Sequence, residues 1–375
     1  MYLHELKLAN FKNCASADLV FSDKVNCFVG SNGAGKTNIL DAIYCLSFCK
    51  SFFTSTDKLN IRHGEDFFSI HGVYSGQGKD NELVSCVQKK ESKKSFKFNK
   101  KEYERLSDHI GKYPLVMVSP YDRDLINESG DMRRRFIDSV ISQFDPVYLL
   151  ALQRYTRALQ QRNSLIKQFM QTNTYNNELL SVWDDHLIVN ANDIYEKRKK
   201  FIEDFQPVFQ ENYALISGGE ERVGLNYVSK LDEKPMRQLL EESRQHDLFL
   251  GYTTAGVHKD DVEMLLDDHP VKRYGSQGQQ KSFVVAIRLA QYDHVQKMLN
   301  TKPIILFDDI FDKLDDDRVK KIVGLVGDNS FGQVFITDTS RTRINSLFEG
   351  SKVKHKIFAV SKGHVDEIDN TANDA

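Results

Sequence analysis

The chain has no apolar run approaching the ~18 residues that a membrane-crossing helix needs. Its opening residues, Met1-Tyr2-Leu3-His4-Glu5-Leu6, lack the basic start and apolar stretch of an export signal, so the expectation is a cytoplasmic protein without membrane contact. Cysteine is scarce. The five residues (Cys14, Cys27, Cys45, Cys49, Cys86) fall in the first quarter, odd in number and without a CxxC pair, which fits neither a disulfide framework nor a zinc site. They read as small core residues, although Cys45 and Cys49, four apart on an expected helix, could also share a metal. A net basic excess is missing as well: 51 Lys and Arg stand against 53 Asp and Glu, so any contact with DNA must be a local patch. No internal repeat or low-complexity tract is present, which excludes a solenoid and a disordered scaffold.

What is present is 375 residues with 40% hydrophobic side chains, enough for two domains or one large domain with an insertion. The first third carries strand patterns: Leu6 and Leu8 alternate with polar residues, Val25–Val29 runs into a glycine-rich turn, and Phe67–Ile70, Leu83–Val87 and Ser95–Phe98 follow. Asn99 and Lys100 should turn the last hairpin. From about Phe136 to Ser217 the pattern changes to long amphipathic helices, with Gln171 to Asn177 as the tip between two antiparallel ones. A first helix from Pro146 to Gln171 would be on the order of 39 Å long at ~1.5 Å per residue. Ile304–Phe307 reads as a buried strand of a parallel sheet, and the chain from about Asp366 as a frayed polar tail. The expected organisation is an α/β lobe, residues 1–130 and 225–375, with a helical arm inserted at 131–224.

Gly30, Ser31, Asn32, Gly33, Ala34, Gly35, Lys36 and Thr37 match the pattern GxxxxGK followed by Ser or Thr, between an expected strand and an expected helix. Such a loop turns backbone N–H groups toward the phosphates of ATP. Its lysine reaches the β- and γ-phosphates, its threonine holds Mg2+, and the helix N-terminus adds positive potential.

Many unrelated proteins share that loop, so the discriminating residues lie further on. Ser276, Gln277, Gly278 and Gln279, followed by Gln280 and a helix expected to begin near Lys281, place a serine hydroxyl and a glycine N–H at a helix start, an anion site that would otherwise be a polar helix cap. Ile304-Ile305-Leu306-Phe307-Asp308-Asp309 is an apolar strand ending in two acids, with Asp308 placed for Mg2+ and Asp309 for polarising water. Phe311-Asp312-Lys313-Leu314-Asp315 comes next, then Thr337 after the strand Gln333–Ile336. In this order the segments resemble the P-loop, signature, Walker B, D-loop and switch positions of ABC ATPases. That resemblance implies an ABC-type P-loop ATPase lobe whose signature acts in trans, so that two subunits pair head to tail around ATP, with Asp315 crossing between them. Most ABC ATPases carry glutamate where Asp309 stands; aspartate is a methylene shorter, so turnover below about one per second is expected, against ~10 per second for typical enzymes. No switch histidine is present, so Thr337 takes its place, and Ser119-Pro120-Tyr121-Asp122 is the segment for Q-loop contacts.

Asn10-Phe11-Lys12-Asn13, Arg133-Arg134-Arg135-Phe136-Ile137-Asp138 and Gly256-Val257-His258-Lys259-Asp260-Asp261, together with the signature segment, resemble the RecF family of DNA replication and repair proteins, within the ABC/SMC-like ATPases. The family usually has proline after Gly256 and arginine where Lys259 and Lys281 stand. The resemblance implies an ATPase that forms a homodimer with ATP on gapped, single- or double-stranded DNA. It further implies recombinase loading with RecR and RecO, replication restart and SOS induction, and contacts from Lys12 and Asn13 to the nucleotide. Candidate DNA patches are the hairpin lysines Lys89, Lys90, Lys93, Lys94, Lys97, Lys100 and Lys101, chiefly Lys93, Lys94 and Lys97, and the run Lys197, Arg198, Lys199, Lys200. Arg133 to Arg135 read as an anchor of the arm through Asp138 or other acids. A transporter ATPase subunit shares the motif order, but the helical arm and the missing histidine speak against it. In a third class, an interaction scaffold, ATP would merely stabilise the fold.

Overall fold

The computed structural model describes residues 1–76, 79–219, 221–311, 316–327, 330–349 and 353–368. The chain divides into two compact units, Met1–Asp122 with Gln291–Ala375, and Arg123–Ala290.

The first unit holds two six-stranded sheets. One is antiparallel, with neighbours in the order Cys14–Val20, Tyr2–Phe11, Phe67–Gly76, Lys79–Lys89, Ser95–Phe98 and Lys101–Glu102. Leu3, Leu6, Leu8 and Phe11 of its second strand are all buried. The three-residue step from Leu3 to Leu6 is taken up by a register shift between Leu3 and Glu5, which keeps both on the core face. Asn99 and Lys100 turn the last hairpin with positive φ, as their place between short strands requires.

The other sheet runs His364–Ile368, His355–Ser361, Val25–Val29, Val334–Asp338, Ile304–Asp308 and Leu115–Val118, parallel except for its first, edge strand. Every residue of Val25–Val29, Ile304–Asp308 and Val334–Asp338 is buried, the pattern of strands covered on both faces. Asp366 pairs with Ala359 on the edge strand, so the frayed tail expected from Asp366 is ordered strand through Ile368. The three extra paired residues, Asp366 to Ile368, follow from pairing with a strand that the polar composition of the segment does not advertise.

In the second unit, helices Gly130–Phe144, Pro146–Thr172, Asn177–Ser217 and Met236–Leu250 surround a three-stranded antiparallel sheet of His269–Pro270, Asp261–Leu266 and Val223–Val228. Asp145 caps the second helix by accepting from Tyr148 N at 2.8 Å, with Pro146 at the first helical position. Asn176 caps the third through Leu179 N at 3.1 Å, which narrows the tip to residues 173–176.

The unit boundary departs from the expected arm of 131–224. Gln206 at once donates to the Val223 carbonyl and accepts from Leu225 N, Arg133 pairs with Asp261, and Arg198 donates to the Val257 carbonyl. These bonds hold the strands after residue 224 to the helices, so the helical unit extends to Ala290 and includes Ser276–Gln280. No helix among the described residues is long and apolar enough to cross a membrane.

Candidate nucleotide-binding site

Three neighbouring parallel strands bring the site together at their carboxyl ends, where open α/β sheets place ligands. Val25–Val29 delivers the glycine loop, Ile304–Asp308 the two acids, and Val334–Asp338, lying between them, delivers Thr337. Gly33 and Gly35 have φ of 77° and 117°, and a Cβ on Gly35 would lie 2.7 Å from the Asn13 side chain, so the loop requires glycine there. Ser31, Asn32 and Gly33 are exposed. The helix Lys36–Phe48 starts on Gly35 without a side-chain cap, which leaves its first N–H groups available to an anion. A cavity of about 150 Å³ opens here, lined by Asn32, Gly33, Gly35, Lys36, Thr37 and Asp309 among others.

Lys36 is buried and its ammonium donates to the carbonyls of Gly30 and Ser31 at 2.6 and 3.0 Å, bracing the loop from within. Burial draws its pKa down, opposed by the charges of Asp309, Asp308 and Asp338. The Thr37 hydroxyl lies 2.9 and 3.1 Å from the two carboxylate oxygens of Asp308. That oxygen-only donor set suits a hard cation such as Mg2+. Burial raises the Asp308 pKa, while hydrogen bonds from Thr337 and Thr37 lower it and Asp309 raises it further. Asp309 has a left-handed backbone, φ 49°, and its Oδ1 is buried and accepts no hydrogen bond among the described residues. An acceptor held in this way beside the loop can take a proton from, or orient, a water molecule.

The structure separates the two early candidates. Asn13 joins the site: its amide donates to the Ala34 carbonyl at 3.1 Å and accepts from Asn38 at 2.7 Å. Lys12 instead forms a 2.5 Å ion pair with the fully buried Asp41, which also accepts from Ser51 and Phe52 N, so its charge is spent inside the protein. Two supporting residues escaped sequence reasoning. Gly30 N donates to the Asp338 carbonyl at 3.3 Å, and Gly363 N donates to the Ala34 carbonyl at 2.8 Å. The only sequence signal for Gly363 was its place in a Lys-Gly turn, where both residues adopt positive φ.

Ser119 and Asp122 form a closed turn, Ser119 N donating to Asp122 at 2.8 Å, with Tyr121 exposed beside Phe53. Asp315 lies outside the described residues.

In the second unit, Ser276 and Gln277 are exposed at the start of the helix Gln277–Leu299, four residues earlier than the start expected at Lys281. Ser276 Oγ accepts from Gln279 N at 3.2 Å and Gln279 Oε1 accepts from Ser276 N at 2.6 Å, a reciprocal cap that explains the early start.

The basic segments are mostly committed. Lys94 is largely buried, pairing with Asp57 at 2.6 Å and donating to the Cys49 carbonyl at 2.7 Å, which removes it from the expected DNA patch. Lys90 pairs with Asp66, whereas Lys93 is exposed and Lys97 half-buried. Lys197, Lys199 and Lys200 pair with Asp145, Asp232 and Asp204, and Arg198 is buried against Asp138, so the run is no open phosphate track. Arg133 anchors to Asp261 by two bonds of 2.7 and 2.8 Å rather than to Asp138, which Arg198 and Tyr148 already occupy. All five cysteines are buried free thiols, and burial pushes Cys86 up to about 12.

Residues 2–364 match the family model described as RecF/RecN/SMC N terminal domain. The chain is 47% identical to a DNA replication and repair protein RecF of Bacteroides thetaiotaomicron over 98% of its own length and 99% of the relative's. It is 48% identical to that of Flavobacterium johnsoniae, over 96% and 99%. A solved structure of the recombination mediator protein RecF with ATPrS, in the RecFOR pathway, superposes with a TM-score of 0.88 at 27% identity, covering 98% of both chains. An Smc head bound to the C-winged helix domain of ScpA shares the fold at a TM-score of 0.56 and 18% identity. The fold is therefore that of an α/β ABC-type ATPase head.

Proposed function

The chain belongs to the RecF family of the RecF/RecN/SMC ATPases, and from that premise we propose that it is a cytoplasmic, ATP-switched DNA-binding protein of recombinational repair. What carries this reading is the junction of Thr37, Asp308, Asp309 and Thr337 beside the glycine loop, which supplies a cation site, a water-orienting acid and a hydrogen-bonded link between the strands that deliver them.

Lys36 and the backbone N–H groups of residues 33–37 would grip the triphosphate, and Thr37 and Asp308 would hold magnesium. Bound magnesium neutralises charge on the phosphate oxygens. Asp309 would orient the attacking water from a left-handed backbone, with its buried Oδ1 accepting no hydrogen bond among the described residues. Ser276 and its helix start would cover the γ-phosphate of the neighbouring subunit, so that ATP pairs two copies head to tail on DNA, with Asp315 in the D-loop between them. Hydrolysis, slow because of the short acid at Asp309, would release the pair. In that role the protein would assist recombinase loading at gaps together with RecR and RecO, and support replication restart and the SOS response.

Molar mass by light scattering, with and without ATP and gapped DNA, tests pairing and ligand together. Doubling that requires ATP is the expected result; a mass that stays monomeric in ATP and DNA would remove the composite site.

A further inference from the structure

The helical hairpin carries a surface that none of the nucleotide-binding residues uses. On Pro146–Thr172, Val147, Leu150, Arg154, Arg157 and Gln161 recur at helical spacing and are exposed; on Asn177–Ser217, Val182, His186 and Val189 do the same. Between the two helices lies a groove of about 430 Å³, lined by Arg154, Arg157, Ala158, Trp183, His186 and Val189. Ala158 is 2% exposed and forms the floor, where its small side chain makes the room. Val182 and Val189, at 52% and 64% exposed, leave aliphatic surface beside an aromatic one, a combination that gains from being covered.

Apart from Lys167, the basic side chains elsewhere on the hairpin are paired with acids. Arg162 is bound by Asp184 and Asp247, Arg198 by Asp138, and the lysines of residues 197–200 each by an acid. Arg154 and Arg157 have no ion pair or hydrogen bond among the described residues, and no carboxylate lines the groove. The acids that adjoin this stripe on the second helix are Asp185, which is paired with Arg237, and Asp193, one turn beyond Val189.

We infer that this groove is a docking surface for an acidic protein segment carrying an aliphatic or aromatic anchor. Two guanidiniums a turn apart can each fork a carboxylate, and their planes and the Trp183 ring form the kind of arginine and aromatic cluster that dominates protein interfaces. A nucleic acid fits less well. Residues 146–217 carry eight basic and eight acidic side chains, so the hairpin has no basic field to attract a phosphate backbone, and exposed valines offer a backbone nothing.

Trp183 is the only tryptophan of the chain, so its emission reports on the groove directly. The full-length protein is titrated with a short peptide of Glu and Leu with one Phe, with the same peptide carrying Lys for Glu, and with an oligothymidylate. The acidic peptide should shift Trp183 emission saturably. The double variant Arg154→Glu, Arg157→Glu should lose roughly tenfold or more in affinity while its circular dichroism and melting stay unchanged, the loss expected when a charged partner is reversed. Three results each overturn the proposal: emission unmoved by the acidic peptide up to ~1 mM, the weak end of specific binding; equal binding by the double variant; or a response to the oligothymidylate or the basic peptide in place of the acidic one.

Discussion

Thr337 donates its hydroxyl to Asp308 at 2.8 Å and accepts the Asp309 backbone N–H at 2.9 Å, so one fully buried side chain sets the position of both acids. It stands where a histidine would be expected in an ABC transporter, but it works from behind the acids. Thr337→Val keeps the shape and removes both bonds, leaving the half-buried Asp309 N–H unpaired at a cost of ~1–3 kcal/mol. The expected outcome is ATP affinity within about threefold of the parent and hydrolysis lowered roughly tenfold or more, a KM-against-kcat split; Thr337→Ser should restore most of the rate. Loss of affinity and rate in equal measure would mean that Thr337 only holds the fold.

Asp309 adopts φ 49°, a conformation that asparagine tolerates better than most residues, so Asp309→Asn changes charge with little new backbone strain. Single-turnover hydrolysis should fall by ~100-fold or more, the contribution of a positioned general base. ATP-dependent pairing, read by light scattering, should persist or lengthen. Unchanged hydrolysis in Asp309→Asn would assign the water-orienting role elsewhere.

Ser276 presents two readings that one pair of variants separates. Ser276→Arg removes the helix cap and also places bulk at the expected γ-phosphate contact; Gln279→Ala adds no bulk and removes the Gln279 side of the reciprocal cap, at about 1 kcal/mol, together with its hydrogen bond to Glu221. Both should bind ATP, but only Ser276→Arg should stay monomeric in ATP. If Gln279→Ala is equally monomeric, helix order and not the serine surface governs pairing.

How much of this was legible follows from sequence distance. The glycine loop was readable because its strand, turn and helix are contiguous, and Asp308 because an apolar run ended on it. The Ser276–Gln279 cap was written in the sequence as serine followed three residues later by glutamine, and it corrected the helix start. Pairings across tens or hundreds of residues were not legible. Nothing in the lysine-rich hairpin signals that Asp57 claims Lys94, or that Asp41 claims Lys12, because either lysine would look the same on a solvated face. The boundary at Ala290 was hidden for a like reason: Gln206 and Arg133 reach forward from the helices to strands that local pattern assigned to the other lobe.

That correction reshapes the DNA test. Reversal of Lys93 and Lys97 to glutamate should weaken DNA binding and flatten its dependence on salt, each lost phosphate contact reducing the slope by about one. Lys94→Glu should instead destabilise the fold, because it sets a second carboxylate against Asp57 in a largely buried place. Equal affinity of the Lys93, Lys97 variant across a salt series would take the hairpin off the DNA-binding surface.

His258 supplies a pH dependence with a definite sign. Its Nδ1 accepts from the Tyr155 hydroxyl at 2.7 Å and its Nε2 donates to the Thr253 carbonyl at 3.1 Å, a pair of partners that fits the neutral ring. Burial lowers its pKa from 6.5 to about 4, and burial does the same to His109 in the other unit. For a depressed histidine the unfolded chain takes up the proton first. Stability is therefore full above ~6.5 and is lost as pH falls from there toward about 4, by on the order of 1–3 kcal/mol per ring. Melting temperature should decline across that window, and His258→Gln, which keeps a donor and an acceptor without titrating, should lower the melting temperature at neutral pH yet make the decline shallower. A decline of identical steepness in His258→Gln would show that other groups carry the acid sensitivity of the helical unit.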